Sequence, residues 1–568
     1  MQKEKHLELN RQWWKEGIVY QIYPRSFQDT SGNGIGDLRG IIKRLDYIKS
    51  LGVDIIWLNP VYESPNDDNG YDISDYRSIM KEFGTMADFD ELLAGMKERG
   101  LRLVMDLVVN HSSDEHRWFQ ESRKSRANPY RDYYHWWPAE KGIPPKRWSF
   151  FDVESNAWKY DQQTDAYYLH CFSVKQPDLK WENPKLREEI YDLMRFWFDK
   201  GVDGFRMDVI SFISKDTDFP KLPEKYNGEF IPFYANGPKL HDYLLEMNQK
   251  VLSQYDVMTV GEAPGVHIDE ALQFVNEDRN ELNMFFHFDL MSLDRETGET
   301  FMMQKEPWKL TEFKKIHSDW DGVFANKGWG SMYLNNHDFP RSVSRWGNDS
   351  KTHWYNSATM LQTFLLTMRG TPYFYYGEEI GMTNIKFETL SDYRDINTIN
   401  RAETIRQQGG NLEAFIENEK DASRDNARTP MQWDSSENAG FSVENPWISV
   451  NGNCREGINV AAQEADTHSV LNYFRKMVQL RKSHLTLIYG EYQLLLPENE
   501  QVYAYTRSLE KECYLILLSF SEDRATVHFD EMSGTQAKLL ISNDDANTRV
   551  DNGTFEVRPY QAMVYKLF

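Results

Sequence analysis

Cysteine is scarce in this chain, with three in 568 residues, at Cys171, Cys454 and Cys513. The number is odd, the spacing is wide and no CxxC pair occurs, which excludes a disulfide-scaffolded fold. All three read as free thiols of a reducing compartment. Long apolar runs are missing too: none reaches eighteen residues, and the stretch from Met1 to Trp14 is charged, without the apolar segment of a secretory signal. The expected location is therefore cytoplasmic, with no membrane partner. Positive charge is in deficit, 65 Lys and Arg against 88 Asp and Glu, a formal net charge of −23. Such a surface repels phosphate backbones and anionic lipid, so no nucleic-acid partner is expected and neutral substrates remain. Low-complexity linkers and short internal repeats are absent as well.

Aromatic residues, by contrast, are plentiful: 17 Trp, 31 Tyr and 32 Phe. Their faces fill cores and also stack against the C–H faces of sugars. Hydrophobic residues at 40% and charged residues at 27% are those of a globular protein, long enough for one large domain with attachments.

Short apolar runs alternate with helical stretches. Residues 17–23, 53–58 and 101–109 read as strands, and the apolar spacing of 38–51 and 86–99 predicts helices that stop at Gly52 and Gly100. After Asn110-His111 the rhythm breaks. Residues 112–181 are rich in Trp, Tyr, Pro and polar side chains, too long a span for a loop, and read as an inserted domain. The alternation resumes with a helix over 184–200 and strands at 201–210, 257–262, 284–288, 329–334 and 372–376. Eight strands in βα alternation predict an α/β fold, a (β/α)8 TIM barrel over 1–111 and 182–488 with its site at the strands' C-terminal ends. Residues 489–568 change to short alternating runs with turn signals at Asn543-Asp544 and Asn552-Gly553, which predicts a C-terminal antiparallel β-sandwich domain.

If the strands are parallel, their ends converge on one rim that collects Asp106, Asn110, His111, Arg206, Asp208, Glu262, Asn336, His337 and Asp338. Each alone could cap or pack. Three carboxylates arriving from separate strands repel one another unless a substrate, cation or shared proton uses that repulsion. Glycoside hydrolysis needs two carboxyl groups with split pKa values, about 5–5.5 Å apart when configuration is retained. Period-two alternation puts Arg206 and Asp208 on one face, and the guanidinium should keep Asp208 ionised as a nucleophile. Glu262, between Gly261 and Ala263-Pro264, has a less polar setting that should raise its pKa and suit an acid/base. Asp338 beside His337 could hold hydroxyls and stabilise developing positive charge.

The motifs Asp106-Leu-Val-Val-Asn110-His111, Gln176-Pro-Asp-Leu179, Gly204-Phe-Arg-Met-Asp-Val209, Gly261-Glu262 and Asn336-His-Asp338 resemble those of glycoside hydrolase family 13, the α-amylase family, and within it the oligo-1,6-glucosidase subfamily. The resemblance runs from Trp13 to the C-terminus. It implies Asp208 as nucleophile, Glu262 as general acid/base and Asp338 as transition-state stabiliser. It also implies that Asp68 holds the terminal glucose, that Tyr71 stacks on it, and that His111, Arg206 and His337 bind the same sugar. Arg424, in Ser423-Arg-Asp-Asn-Ala-Arg-Thr-Pro-Met-Gln-Trp433, matches an arginine paired with the aspartate at Asp68; that pair closes the pocket and makes such enzymes exo-acting. Phe151 and Phe172 match aromatics lining the pocket, and Phe151 could equally be core.

Val209 resembles the valine of α-1,6-acting members, where α-1,4-specific relatives often carry alanine or threonine. The implied substrates are small oligosaccharides of the isomaltose and panose type, with α-1,4 linkages or sucrose besides. Lys180, Phe339 and Tyr376 depart from the residues usual after Gln-Pro-Asp-Leu, after His-Asp and at the end of the eighth strand. Residues 288–295 resemble the corresponding segment of sucrose isomerases, which makes isomerisation the alternative activity. Gly261-Glu262-Ala263-Pro264 lacks the aromatic that isomerases carry two residues after the acid/base, so water is expected to win. No cofactor is required for this chemistry. Asp29-Thr-Ser31-Gly-Asn33-Gly-Ile35-Gly-Asp37 resembles the family's calcium loop, with Ser31 and Asn33 in place of the usual asparagine and aspartate. Its oxygens, with the Ile35 backbone, would form a structural Ca2+ site if metal binds. A non-enzymatic binding protein built on the same barrel, as in the heavy chains of amino-acid transporters, would have lost catalytic carboxylates and gained an anchor; neither holds here. A monomer is the working expectation.

Overall fold

The computed structural model describes residues 9–223, 231–295, 306–544 and 553–568. Residues 1–8 and Asn552, on which the N-terminal and second turn readings partly rest, lie outside the described residues. Eight parallel strands form one sheet: β1 Val19–Ile22, β2 Ile55–Leu58, β3 Arg102–Leu107, β4 Gly204–Met207, β5 Met258–Glu262, β6 Met284–Phe286, β7 Ser331–Met332 and β8 Thr371–Tyr375. The ladder runs β6-β5-β4-β3-β2-β1-β8-β7. Between its two ends, the Ser331 hydroxyl donates to Phe285 O (2.8 Å) and the Tyr333 hydroxyl to His287 O (2.6 Å), which joins β7 to β6 and closes the ring. Nearly every strand residue is buried, as expected where helices cover the outside and side chains fill the inside.

The helix predicted over 86–99 is Met86–Glu98. Thr85 and Asp88 form a reciprocal capping box at its start, and Gly100 (φ +63°) stands just beyond its end. The helix predicted over 38–51 is two, Leu38–Lys43 and Leu45–Ser50, broken at Arg44 (φ −102°, ψ 5°), whose guanidinium donates to Gln28 Oε1 and stacks 3.8 Å over Trp433. The strand predicted over 329–334 pairs for only two residues.

Between β3 and β4 lies a three-stranded antiparallel sheet of Trp136–Pro138, Ala166–Leu169 and Trp158–Asp161. A bridge between His111 and Asp178 ties its base to the barrel, and one between Tyr134 and Leu179 lies within the inserted segment. Helix Pro184–Lys200, capped by the Asn183 side chain, leads back into β4. After β8, helices Ile396–Gln407 and Leu412–Ala422 precede the segment that carries Arg424. The C-terminal part is a sandwich: five antiparallel strands from Glu491–Leu495 to Ala562–Leu567 face a two-stranded sheet, Ala525–His528 with Thr554–Val557. Val502, Leu515, Leu517, Val527, Phe555 and Met563 fill the space between them.

Candidate active site

The register of the barrel brings the site together. Asp106 on β3 stands directly opposite Arg206 on β4, and Arg206 Nη1 donates to Asp106 Oδ1 at 2.6 Å. The same nitrogen donates to Asp208 Oδ1 (2.6 Å), while Nη2 pairs with Glu262 Oε1 (2.7 Å) at the end of β5. One guanidinium, 1% exposed, therefore touches three carboxylates from three neighbouring strands. Val209 has the left-handed backbone (φ +33°, ψ 44°) that a β-branched residue rarely adopts, and its N–H donates to Glu262 Oε2 at 3.0 Å. The strain aims that N–H at Glu262. Beneath the site, Trp57 stacks on Phe286 (5.6 Å) and donates through Nε1 to Asp106 Oδ2 (2.9 Å).

Electrostatics separate the carboxyl groups. Burial pushes Glu262 up to about 8, and Asp208 and Asp338 add repulsion against the pull of Arg206. Burial also pushes Asp208 up to about 7, with Arg206 pulling down and Asp106 pushing up. Here the sequence-based expectation is corrected. The guanidinium does lower the Asp208 pKa, but loss of water is the larger effect, so the carboxyl sits above its ordinary value. Asp338 shows the reverse balance. Burial pushes it up, yet His337 (Nε2 to Oδ2, 3.1 Å), Arg424 and Arg428 (each 3.0 Å to Oδ1) hold it well below the usual carboxylate range.

The residues matched to sugar binding gather around the same carboxylates. Asp68 accepts from Gln176 Nε2 (3.1 Å) and stands 3.4 Å from Arg424 Nη2; burial pushes its carboxyl to about 7. Tyr71 lies parallel to His337, ring centres 5.2 Å apart, with its hydroxyl between Asn59 Nδ2 (2.7 Å) and Asp106 Oδ2 (3.3 Å). His111, lowered to about 4 by burial, faces Tyr71 O, Asn110 and Gln176, and packs on Phe172 at 5.1 Å. Arg424 sits 4.9 Å over the Phe151 ring, which brings Phe151 into the group as well. Of the three departures, Lys180 pairs with Asp132 on the inserted segment, Phe339 packs on Phe288 (6.1 Å), and the Tyr376 hydroxyl donates to Thr429 O (2.7 Å) within the core.

Several partners escaped the sequence reading. Asp395 binds Arg424 and Arg428 together, and as N-cap of helix Ile396–Gln407 it also accepts from Thr398 N. Farther along that helix, Asn400 donates to Phe151 O (2.6 Å) and Thr404 to Val153 O (2.8 Å). Lys215 bridges Asn110 Oδ1 (2.8 Å) and Asp178 (3.0 Å) behind His111. For Arg428 a signal existed, since it lies one helical turn after Arg424 in the same motif. Asp395 and Lys215 carry no local signature.

The loop matched to calcium binding is saturated from within. Asp29 accepts from Ser31 Oγ, Gly32 N, Gly34 N and Ser442 Oγ, two donors on each oxygen. Asp37 accepts from Thr30, Ser31 N and Gly40 N, and Asn33 Oδ1 is taken by Ile35 N. A carboxylate offers about four lone-pair directions. As arranged, these residues do not fit a cation, and among the described residues no group of three His, Cys, Asp or Glu side chains is placed to hold one.

Comparison with known proteins gives a consistent picture. Residues 21–490 match the alpha amylase catalytic domain, and residues 492–564 match the maltogenic amylase C-terminal domain. The chain is 52% identical over 564 residues to an oligo-1,6-glucosidase of Parageobacillus thermoglucosidasius, covering 98% of this chain and all of that one. It is 50% identical to an oligo-1,6-glucosidase of Bacillus cereus, with 98% and 100% covered. Among solved structures, the isomaltulose synthase SmuA from Protaminobacter rubrum superposes with a TM-score of 0.95 at 45% identity, over 99% of this chain and 100% of that one. With the barrel, the carboxylates at its strand ends and these matches over its whole length, the chain belongs to the alpha-amylase family.

Proposed function

We propose that the chain is a retaining, exo-acting α-glucosidase. It releases glucose from the non-reducing ends of short α-1,6-linked oligosaccharides of the isomaltose and panose type, with α-1,4 linkages and sucrose as lesser substrates. The observation that carries this reading is Arg206 joining Asp208 to Glu262, two buried carboxyl groups with pKa values of about 7 and 8. In the ordered pair, Asp208 is the first to ionise. It attacks the anomeric carbon and forms a glycosyl ester, while Glu262 gives its proton to the departing oxygen. Glu262 then takes a proton from water as the ester is hydrolysed. Asp338, kept ionised by two guanidinium groups, faces the charge that develops at the anomeric carbon. Asp68 and Arg424, with Phe151 beneath the arginine, close the pocket beyond the terminal glucose. The names of the curated relatives favour the α-1,6 linkage.

Residues 288–295 and the isomaltulose synthase neighbour favour sucrose isomerisation as the second reading. Against it, Ala263 and Pro264 follow the acid/base, and no ring stands there to retain a departing fructose. The reading assigns no metal to the chemistry and treats residues 29–37 as a turn held by its own donors. No helix of the described residues is long and apolar enough to cross a membrane. Free cysteines at 171, 454 and 513 favour a reducing compartment such as the cytoplasm.

The test is glucose release from an aryl α-glucoside, abolished by Asp208→Asn, with products followed on isomaltose, panose, maltose and sucrose. The first-formed glucose should be the α anomer. Mainly isomaltulose or trehalulose from sucrose would overturn the hydrolase reading, and inactivity across the panel would favour a binding protein.

A further inference from the structure

We infer that Gln21, on β1, is a positioning residue that decides which nitrogen of His337 carries the proton, so that Nε2 is an obligate donor beside Asp338. The geometry stands alone; its consequence for catalysis rests on the glucosidase reading.

Six groups form one chain across the top of the barrel, from Asp106 through Tyr71, Asn59, Gln21 and His337 to Asp338. Asn59 Nδ2 lies 2.7 Å from Tyr71 Oη and 3.4 Å from Asp106 Oδ2. Gln21 Nε2 lies 2.8 Å from Asn59 Oδ1 and 3.0 Å from His337 Nδ1. His337 Nε2 lies 3.1 Å from Asp338 Oδ2. A carboxylate stands at each end, and an ionised carboxylate only accepts. Working inward from Asp106, the Tyr71 hydroxyl gives its hydrogen to that carboxylate, so Oη accepts from the Asn59 amide. This turns Asn59 Oδ1 toward Gln21, which must therefore donate. The second hydrogen of the same Gln21 amide points at His337 Nδ1, which must be bare, and the ring proton goes to Nε2. At the other end, a protonated Nε2 is the favourable neighbour for the Asp338 carboxylate 3.1 Å away.

The opposite polarity fails at both ends at once. Gln21 and Asn59 would be reversed, Asn59 Oδ1 would face Asp106, and a bare Nε2 would face an Asp338 oxygen at 3.1 Å. Buried acceptor pairs of this kind leave both groups unsatisfied. Burial holds His337 down to about 3, so one ring proton is present at neutral pH, and the parallel Tyr71 ring limits rotation of the imidazole. The primary amide of Gln21 supplies two hydrogens, one for each neighbour. Nε2–H is then free to donate to a glucose hydroxyl held beside Asp338.

The test uses the full chain labelled with ring-15N histidine, without substrate, with His337 assigned by its loss in His337→Asn. The wild-type signal should show a bare Nδ1 and a protonated Nε2. In Gln21→Glu, of equal length but presenting an acceptor, Nδ1 should gain a proton, and kcat/KM on an aryl α-glucoside should fall about tenfold or more. Gln21→Met should fall between. A protonated Nδ1 in the wild type overturns the inference without reference to any variant. So does a His337 signal unmoved by Gln21→Glu, or a variant with lowered melting temperature and unaltered kcat/KM. Wild-type inactivity would sink the glucosidase reading instead, while the spectrum still reports the tautomer.

Discussion

Replacing Asp208 by asparagine should abolish activity and stabilise the protein, and the second effect should depend on pH. Burial, with repulsion from Asp106 and Asp338, raises the native pKa from 3.8 to about 7 against the pull of Arg206. A carboxyl whose native pKa is raised binds protons more tightly when folded. Ionising it therefore disfavours the native state, from about pH 4 upward, and the cost reaches its full size above about pH 7. At 1.36 kcal/mol per unit, the cost is on the order of 4 kcal/mol at pH 8 and about 2 kcal/mol at pH 5. Asparagine keeps the shape, still accepts from Arg206 and carries no charge. The gain will be reduced because Arg206 loses one of three carboxylate partners. The variant should therefore gain about 2 kcal/mol more, relative to wild type, at pH 8 than at pH 5. For a chain of this length that is about 2 °C in melting temperature. Thermal melts of both proteins by circular dichroism at the two pH values measure it. An equal offset at both, or an asparagine variant less stable than wild type at pH 8, would refute the argument that burial governs this carboxyl.

Other outcomes follow from the same site. The pH profile of kcat/KM should rise as Asp208 ionises near 7 and fall as Glu262 loses its proton near 8, with both limbs belonging to the pair; an acid limb below pH 5 would contradict it. Arg424→Lys keeps the charge but breaks the joint hold on Asp395, Asp338 and Asp68, and should cut kcat/KM on isomaltose by about a hundredfold. Melting within a few degrees of wild type would place that loss in the site. Val209→Thr should raise activity on maltose relative to isomaltose, read as a ratio of initial rates. Chelation should leave the melting temperature unchanged, since Asp29 and Asp37 have their donors within the chain; stabilisation by several degrees on adding calcium would overturn that.

Much of the barrel was legible because parallel strands buried on both faces read as continuous apolar runs, and Gly52 and Gly100 mark helix ends through their left-handed backbones (φ +83° and +63°). The proposed catalytic carboxylates were legible because each lies at or beyond the C-terminal end of a barrel strand, where topology makes them neighbours. Less legible was anything decided by a distant partner. Arg44, where the predicted helix breaks, stacks on Trp433, nearly four hundred residues away. Gln21 carries no sequence signal beyond its place in the first strand, because its meaning comes from Asn59 and His337. The ionisation of Asp208 was misjudged for a related reason. The sequence displays the neighbouring arginine but not the removal of water, and the latter is the larger effect.

Helix Ile396–Gln407 links two parts of the pocket that are otherwise far apart in the chain. Its first turn grips Arg424 and Arg428 through Asp395, and its flank holds the backbone of Phe151 and Val153 on the inserted segment. The arginine gate and the aromatic wall are thus mounted on one strut. Displacing either one would therefore disturb the other, so if the pair lines the glucose pocket as proposed, the two sides would move together. Selectivity at the glucose end would then reside in the stiffness of a helix that touches no substrate.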